Sequence, residues 1–233
     1  RSLQLTKDAA INTNSASVLA SPLKAGYHYV ASYMDWKKQA DYFVGLMDNK
    51  FDFWAWDIEK GNNTNVSAFI DGVIPALEYL YNATKNPGLL YINPDIWGTW
   101  LLPIQNDIIQ ILNRKDITIG MWIAHYWFTP NSEGNLNYWM VNSGAVNMPR
   151  DWRIWQYAAD ATAPYGHEYG VASKSIDLNV FNGDATALMG WAKPSVIPPV
   201  ITPPVIVPPV VVPPVEGSYM NILPVKHVSQ IMV

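Results

Sequence analysis

"FWAWDIEKGNN", residues 53–63, sets two acids, Asp57 and Glu59, at the end of an aromatic run and follows them with a Gly-Asn-Asn turn. From Phe51 to Glu59 the stretch reads as a strand. Side chains alternate across a strand, so Phe53, Ala55, Asp57 and Glu59 share one face while Trp54, Trp56 and Ile58 share the other. The tryptophan face is expected to pack against a helical layer. Two same-face residues stand about 6 to 7 Å apart along a strand, from roughly 3.3 Å per residue. That spacing suits two carboxylates flanking one scissile bond, one of them kept protonated by its charged neighbour. It also suits the solvated end of a strand with salt bridges to Lys60 or a loop, because Asp-x-Glu is a short and common pattern. A metal site is a third reading, but no H-x-x-E or H-E-x-x-H lies nearby, and the histidines at 28, 125, 167 and 227 are scattered.

The flanking sequence repeats the alternation of strand and helix. "AGYHYVAS" (25–32) is strand-like and precedes "DWKKQADYFVGLMDN", in which Trp36, Ala40, Phe43 and Met47 recur at helical spacing. After the second strand a helical pattern runs from Val66 to about Thr84, with Phe69, Val73, Leu77 and Leu80 on one stripe. "GLLYIN" (88–93) is a third strand, followed by the helix-like "PIQNDIIQILNRK". "ITIGMWIAHY" (117–126), "RIWQYA" (153–158) and "KSIDLNVF" (174–181) add three more runs, with loops between them in place of clear helices. Such alternation implies parallel strands joined by crossovers, and strands apolar on both faces imply cover on both sides. An α/β fold follows: a β/α barrel, or an irregular TIM-like barrel whose later segments lose their helices. A doubly wound open sheet is the alternative, though no Gly-rich phosphate loop supports it.

In a parallel barrel the C-terminal strand ends open into the active-site mouth, which is where Asp57 and Glu59 fall. Composition narrows the chemistry further. The chain has 233 residues, no cysteine and a net charge of -4, so a thiolate site, a cysteine nucleophile and a basic surface for nucleic acid are all disfavoured. Neither a G-x-S-x-G elbow nor a Walker loop is present, which leaves serine hydrolase and nucleotide chemistry without an anchor. No cofactor or metal is expected. The 11 Trp and 13 Tyr supply rings whose flat apolar faces suit the CH faces of sugars, or a large core with amphipathic edges.

At the C-terminal side, "KPSVIPPVITPPVIVPPVVVPPVEG" (193–217) repeats proline pairs every five residues. Its uncharged span from Val196 to Val215 would pass a hydropathy window for a membrane helix. Paired prolines remove helical donors and clash with the preceding turn, so the stretch reads as a stiff polyproline-type linker and no membrane span is expected. The expected organisation is a barrel domain over 1–192, the linker over 193–217, and 218–233 as the start of a truncated further module or a tail. The start carries no secretory leader pattern and no initiator Met, so a leader has been removed or the sequence is a fragment. Asn62, Asn65 and Asn82 begin N-x-S/T triplets, read as chance in an Asn-rich chain.

"AGYHYV", "QADYFV", "WAWDIE", "GLLYIN", "MWIAHY", "RIWQYA" and "IDLNVFNG", in that order, resemble the family 25 glycoside hydrolases, lysozymes frequent among phage endolysins. The resemblance runs from about Lys7 to Gly183. It implies an irregular β/α barrel that cleaves the bond between N-acetylmuramic acid and N-acetylglucosamine in bacterial peptidoglycan. By motif, Glu59 would be the general acid, Asp57 the stabilising carboxylate and Asp177 the acid of the final strand. Tyr29, Tyr126, Trp155 and Gln156 would occupy strand ends that line the sugar groove. The family's opening strand, usually Gly-x-Asp-Val-Ser, and its second strand have no counterpart here. An N-terminally incomplete barrel is therefore expected, and a glycan-binding or virion structural module of the same fold is the alternative. The resemblance also implies action at the bacterial cell wall, by a secreted or phage-encoded protein, with a cell-wall-binding or virion module beyond the linker.

Overall fold

The computed structural model describes residues 23–47, 51–59, 66–126, 152–158 and 177–193. They form one curled sheet of six strands in sequence order, half of a barrel, with helices on its convex side. Strand β1 is Ala25–Tyr29, β2 Phe53–Asp57, β3 Gly88–Ile92, β4 Ile119–Ala124, β5 Trp152–Ala158 and β6 Leu178–Phe181. The first five are parallel, as expected of strand-helix alternation. The sixth departs from that expectation and pairs antiparallel with β5. A parallel return needs a crossover to the other end of the sheet, whereas here β5 ends and β6 begins at the same end.

Helices α1 (Trp36–Met47) and α2 (Val66–Thr84) fall where the periodicity puts them. Their apolar stripes, Ala40, Phe43 and Met47 on α1 and Phe69, Val73, Leu77 and Leu80 on α2, are buried against Trp54, Trp56, Ile58, Leu90, Ile92, Met121 and Ile123 of the sheet's outer face. Trp54 and Trp56 are thus packing residues. Burying such rings stabilises by about 2 to 3 kcal/mol each at ~25 cal/mol per Å² of apolar surface. After β3 the chain is helical well before the expected start. Asn93 caps a first turn at Pro94–Ile96 through its side chain, a π-turn follows at Trp97–Leu101, then a 3₁₀ turn and helix α3 (Gln105–Leu112). The early helix buries Ile96, Trp97 and Leu101, which sequence periodicity spread over mixed turns does not reveal.

A further helix, α4 (Ala185–Ala192), was not anticipated. Asp184 caps it by accepting from the Ala187 amide at 2.7 Å. This helix lies on the concave side, where Leu188, Met189, Trp191 and Ala192 pack with Leu23, Phe53, Ala55 and Leu89. Lys193 then forms an ion pair with Asp52 at 3.2 Å, and the other Asp52 oxygen accepts from the Lys24 amide at 2.8 Å. The N-terminal end of the concave face is therefore filled by side chains. Among the described residues no helix is long and apolar enough to cross a membrane. The proline-rich stretch from 194, residues 218–233 and residues 1–22 lie outside the described residues.

Candidate active site

At the opposite end of the concave face, polar side chains replace apolar ones. The parallel register aligns Tyr29 with Asp57, Asp57 with Tyr91, and Tyr91 with Trp122. Asp57 is 5% exposed, and its Oδ1 has no hydrogen-bond partner. Burial, and then the negative charge of Glu59, hold its carboxyl well above the usual carboxylate range. Glu59, two residues on and past the strand end, is half-buried. The two acids are therefore unlike: one is enclosed and proton-retaining, the other is reachable from solvent.

Five groups surround this pair: Tyr29, Tyr91, Tyr126, Gln156 and Asp177. The Tyr29 phenol is pushed up by burial and by the charges of Glu59 and Asp57. Tyr91, 7% exposed, is pushed up by burial, by Tyr126 and by both acids. Its hydroxyl donates to Gln156 Oε1 at 2.6 Å and lies 3.4 Å from the Tyr126 hydroxyl, which itself reaches Gln156 Oε1 at 3.3 Å. Tyr126 is half exposed, and burial raises its phenol, with Asp177, Glu59 and Asp57 adding and the bond to Tyr91 opposing. Asp177, exposed and immediately before β6, thus joins the same electrostatic cluster from the antiparallel strand. Below them Trp122 meets the Tyr91 ring edge-on at 5.0 Å, and its indole N–H donates to Asn179 Oδ1 at 2.8 Å across β5.

Of the residues named from sequence, Asp57, Glu59, Asp177, Tyr29, Tyr126 and Gln156 come together. Trp155 does not. It is 3% exposed in the outer core, beside Trp152 and Tyr157, and its indole N–H donates to the His125 carbonyl at 2.9 Å. Irregular register at Met121/Trp122 and at Gln156/Ala158 obscured which β5 side chains face inward. Tyr91 was missed, although its place in "GLLYIN", one strand over from Asp57, is the signal that finds it. His28 and His125 are buried outside the cluster: His28 stacks on Trp56 at 5.0 Å and meets Gln39 Oε1 at 3.2 Å. Among the described residues no group of three or more His, Cys, Asp or Glu is placed to hold a metal ion.

Residues 4–165 match the model of the glycosyl hydrolases family 25. The chain belongs to that family. As a family 25 glycoside hydrolase it also shares its fold with solved structures. A bacterial lysozyme from Streptomyces coelicolor is 17% identical, with 81% of this chain and 81% of that one covered and a TM-score of 0.55. A muramidase from Acremonium alcalophilum is 17% identical over 81% of this chain and 82% of that one, at a TM-score of 0.53. The catalytic domain of an endolysin from a Listeria monocytogenes bacteriophage is 16% identical over 79% of each, at 0.52. Comparison with curated protein sequences gives no match.

Proposed function

We propose that this family 25 hydrolase is a muramidase that cleaves the β-1,4 bond between N-acetylmuramic acid and N-acetylglucosamine in bacterial peptidoglycan. The observation that carries the reading is the unlike pair: a buried, proton-retaining Asp57 beside a half-buried Glu59, at the open end of a concave sheet with Tyr29, Tyr91, Tyr126 and Gln156 around them. Glu59 is the group that approaching glycan can reach, and it protonates the leaving oxygen. As the glycosidic bond breaks, positive charge grows at the anomeric carbon. That charge favours the ionised form of Asp57, which then steadies the oxocarbenium-like centre or orients the substrate's acetamido group. Before glycan binds, burial and the Glu59 charge hold a proton on Asp57; that proton passes to Glu59 as the substrate docks and from Glu59 to the leaving oxygen, which leaves Asp57 ionised. Asp177 adds a further negative charge at the rim.

The site of action under this reading is the bacterial cell wall, reached by a secreted or phage-encoded protein. The test is Glu59→Gln assayed for reducing ends released from purified cell walls. The expected result is loss of release with a melting temperature no lower than that of the unmutated protein; undiminished turnover overturns the reading. A second reading is a glycan-gripping module of the same fold without turnover. Retention on peptidoglycan with no new reducing ends from the unmutated protein would decide for it.

A further inference from the structure

Gln156 makes an unusual set of contacts for a side chain that is 3% exposed. Its Oε1 is approached by two hydroxyls, Tyr91 at 2.6 Å and Tyr126 at 3.3 Å. An amide oxygen has two lone pairs, and each phenol has one hydrogen to give. Tyr91 uses its hydrogen on Gln156 at the shorter distance, so the Tyr126 hydrogen goes to Gln156 Oε1 or to the Tyr91 oxygen. With the amide turned the other way, the enclosed Tyr91 hydroxyl would keep only the Tyr126 oxygen at 3.4 Å as acceptor, and a buried donor without a good acceptor costs about 1 to 3 kcal/mol. The two tyrosines therefore fix the orientation of the glutamine.

Reach makes this possible. Tyr91 is on β3 and Gln156 on β5, with β4 between them. The β4 residue in register with Gln156 is Ala124, 3% exposed. Ala124 alternates with Trp122 and so shares the concave face. Its methyl leaves the gap through which the Tyr91 hydroxyl spans two strands. Trp122, edge-on to the same ring at 5.0 Å, supports the phenol from below.

We infer that Tyr91 is a positioning residue of the glycan groove, locking the Gln156 amide with its NH₂ end turned away from both tyrosines so that Gln156 meets the glycan only as a hydrogen-bond donor. The group it recognises is then an acceptor oxygen, a hydroxyl or an acetamido carbonyl, on the sugar bound beside the carboxyl pair. This rests on the muramidase reading for its substrate, but the coupling between Tyr91 and Gln156 does not. Without the Tyr91 hydroxyl the amide oxygen keeps only the longer 3.3 Å contact to the half-exposed Tyr126, so its orientation is held less firmly and productive binding falls.

The test has two arms. In the first, Tyr91→Phe, Gln156→Ala and the double variant are compared on purified peptidoglycan, with melting temperatures as fold controls. Tyr91→Phe is expected to lower kcat/KM about tenfold in the native background and less than twofold when Gln156 is already Ala. Equal losses in both backgrounds, or no loss in either, overturn the inference. The second arm needs no turnover: the Gln156 side-chain amide ¹⁵N–¹H signals are followed in the native protein and in Tyr91→Phe. Two sharp, slowly exchanging signals that broaden or shift in the variant support the lock, and signals unchanged by the substitution overturn it. Absent turnover with an intact signal change would instead fault the muramidase reading and leave the coupling standing.

Discussion

Glu59 acts on Asp57 across two residues of chain: its charge, added to burial, holds the Asp57 carboxyl well above the usual range. The sign of this effect matters for stability. An acid whose proton affinity is raised by folding destabilises the native state once the unfolded carboxyl ionises, and folding regains that stability as pH falls from the raised value toward the ordinary carboxylate value. Asp57→Asn removes the charge and keeps the shape. The expected outcome is a melting temperature at neutral pH higher by about 2 °C or more, taking roughly 1 kcal/mol for an enclosed, unpartnered group, with loss of cell-wall hydrolysis. Calorimetry at pH 7 checks it; a lower melting temperature would show that Asp57 is satisfied in a way the orphaned Oδ1 does not suggest.

His28 works in the opposite direction. Its ring is fully enclosed, and burial lowers its pKa from 6.5 to about 4, with the Gln39 bond opposing. The unfolded chain then binds the proton first, so stability from this residue is complete above pH 6.5 and is lost as pH falls toward 4. The full effect is about 3 kcal/mol at ~1.4 kcal/mol per pH unit. His28→Gln, which keeps a bond to Gln39 and does not titrate, should be less stable at neutral pH yet show a flatter profile from pH 6.5 to 4. Parallel profiles for the two proteins would contradict this.

Gly88 sits where Trp54 leaves no room. A Cβ at position 88 would fall 2.2 Å from the Trp54 ring, and that ring is fixed because its N–H donates to Thr84 Oγ1 at 3.1 Å and to the Asn86 carbonyl at 3.0 Å. Gly88→Ala is expected to destabilise by about 1 to 3 kcal/mol. Pairing it with Trp54→Phe should recover part of that loss, measurable by urea denaturation.

Trp191 on α4 meets Phe53 edge-on at 5.4 Å and Phe181 at 6.3 Å. Trp191→Ala should cost about 3 kcal/mol, the range for a truncated packed aromatic. Because this contact is at the end of the sheet away from Asp57 and Glu59, turnover per folded molecule is expected to hold. A fall in KM-normalised activity without a fall in stability would place α4 nearer the chemistry than the fold does.

The strands and first two helices were legible because parallel strands buried on both faces leave long apolar runs, and Phe69, Val73, Leu77 and Leu80 repeat with the helical period. Asp57 and Glu59 could be placed at a strand end from alternation alone. Three things were not readable. The antiparallel turn of β6 depends on which end of the sheet a connection returns to, not on the residues of the strand. The inward or outward sense of Trp155 depends on register irregularities that shift parity. Tyr91 enters the site because Ala124, two positions beyond Trp122 on the intervening strand, is small, a relation between strands that a single stretch of sequence does not carry.

The seating of α4 against the start of β2, fastened by the pair of Lys193 and Asp52, also fixes the polarity of the whole molecule. Among the described residues the concave face is thus a cup and not a channel: it is stopped where the strands begin, by Trp191 and its neighbours, and open where Asp57 and Glu59 stand.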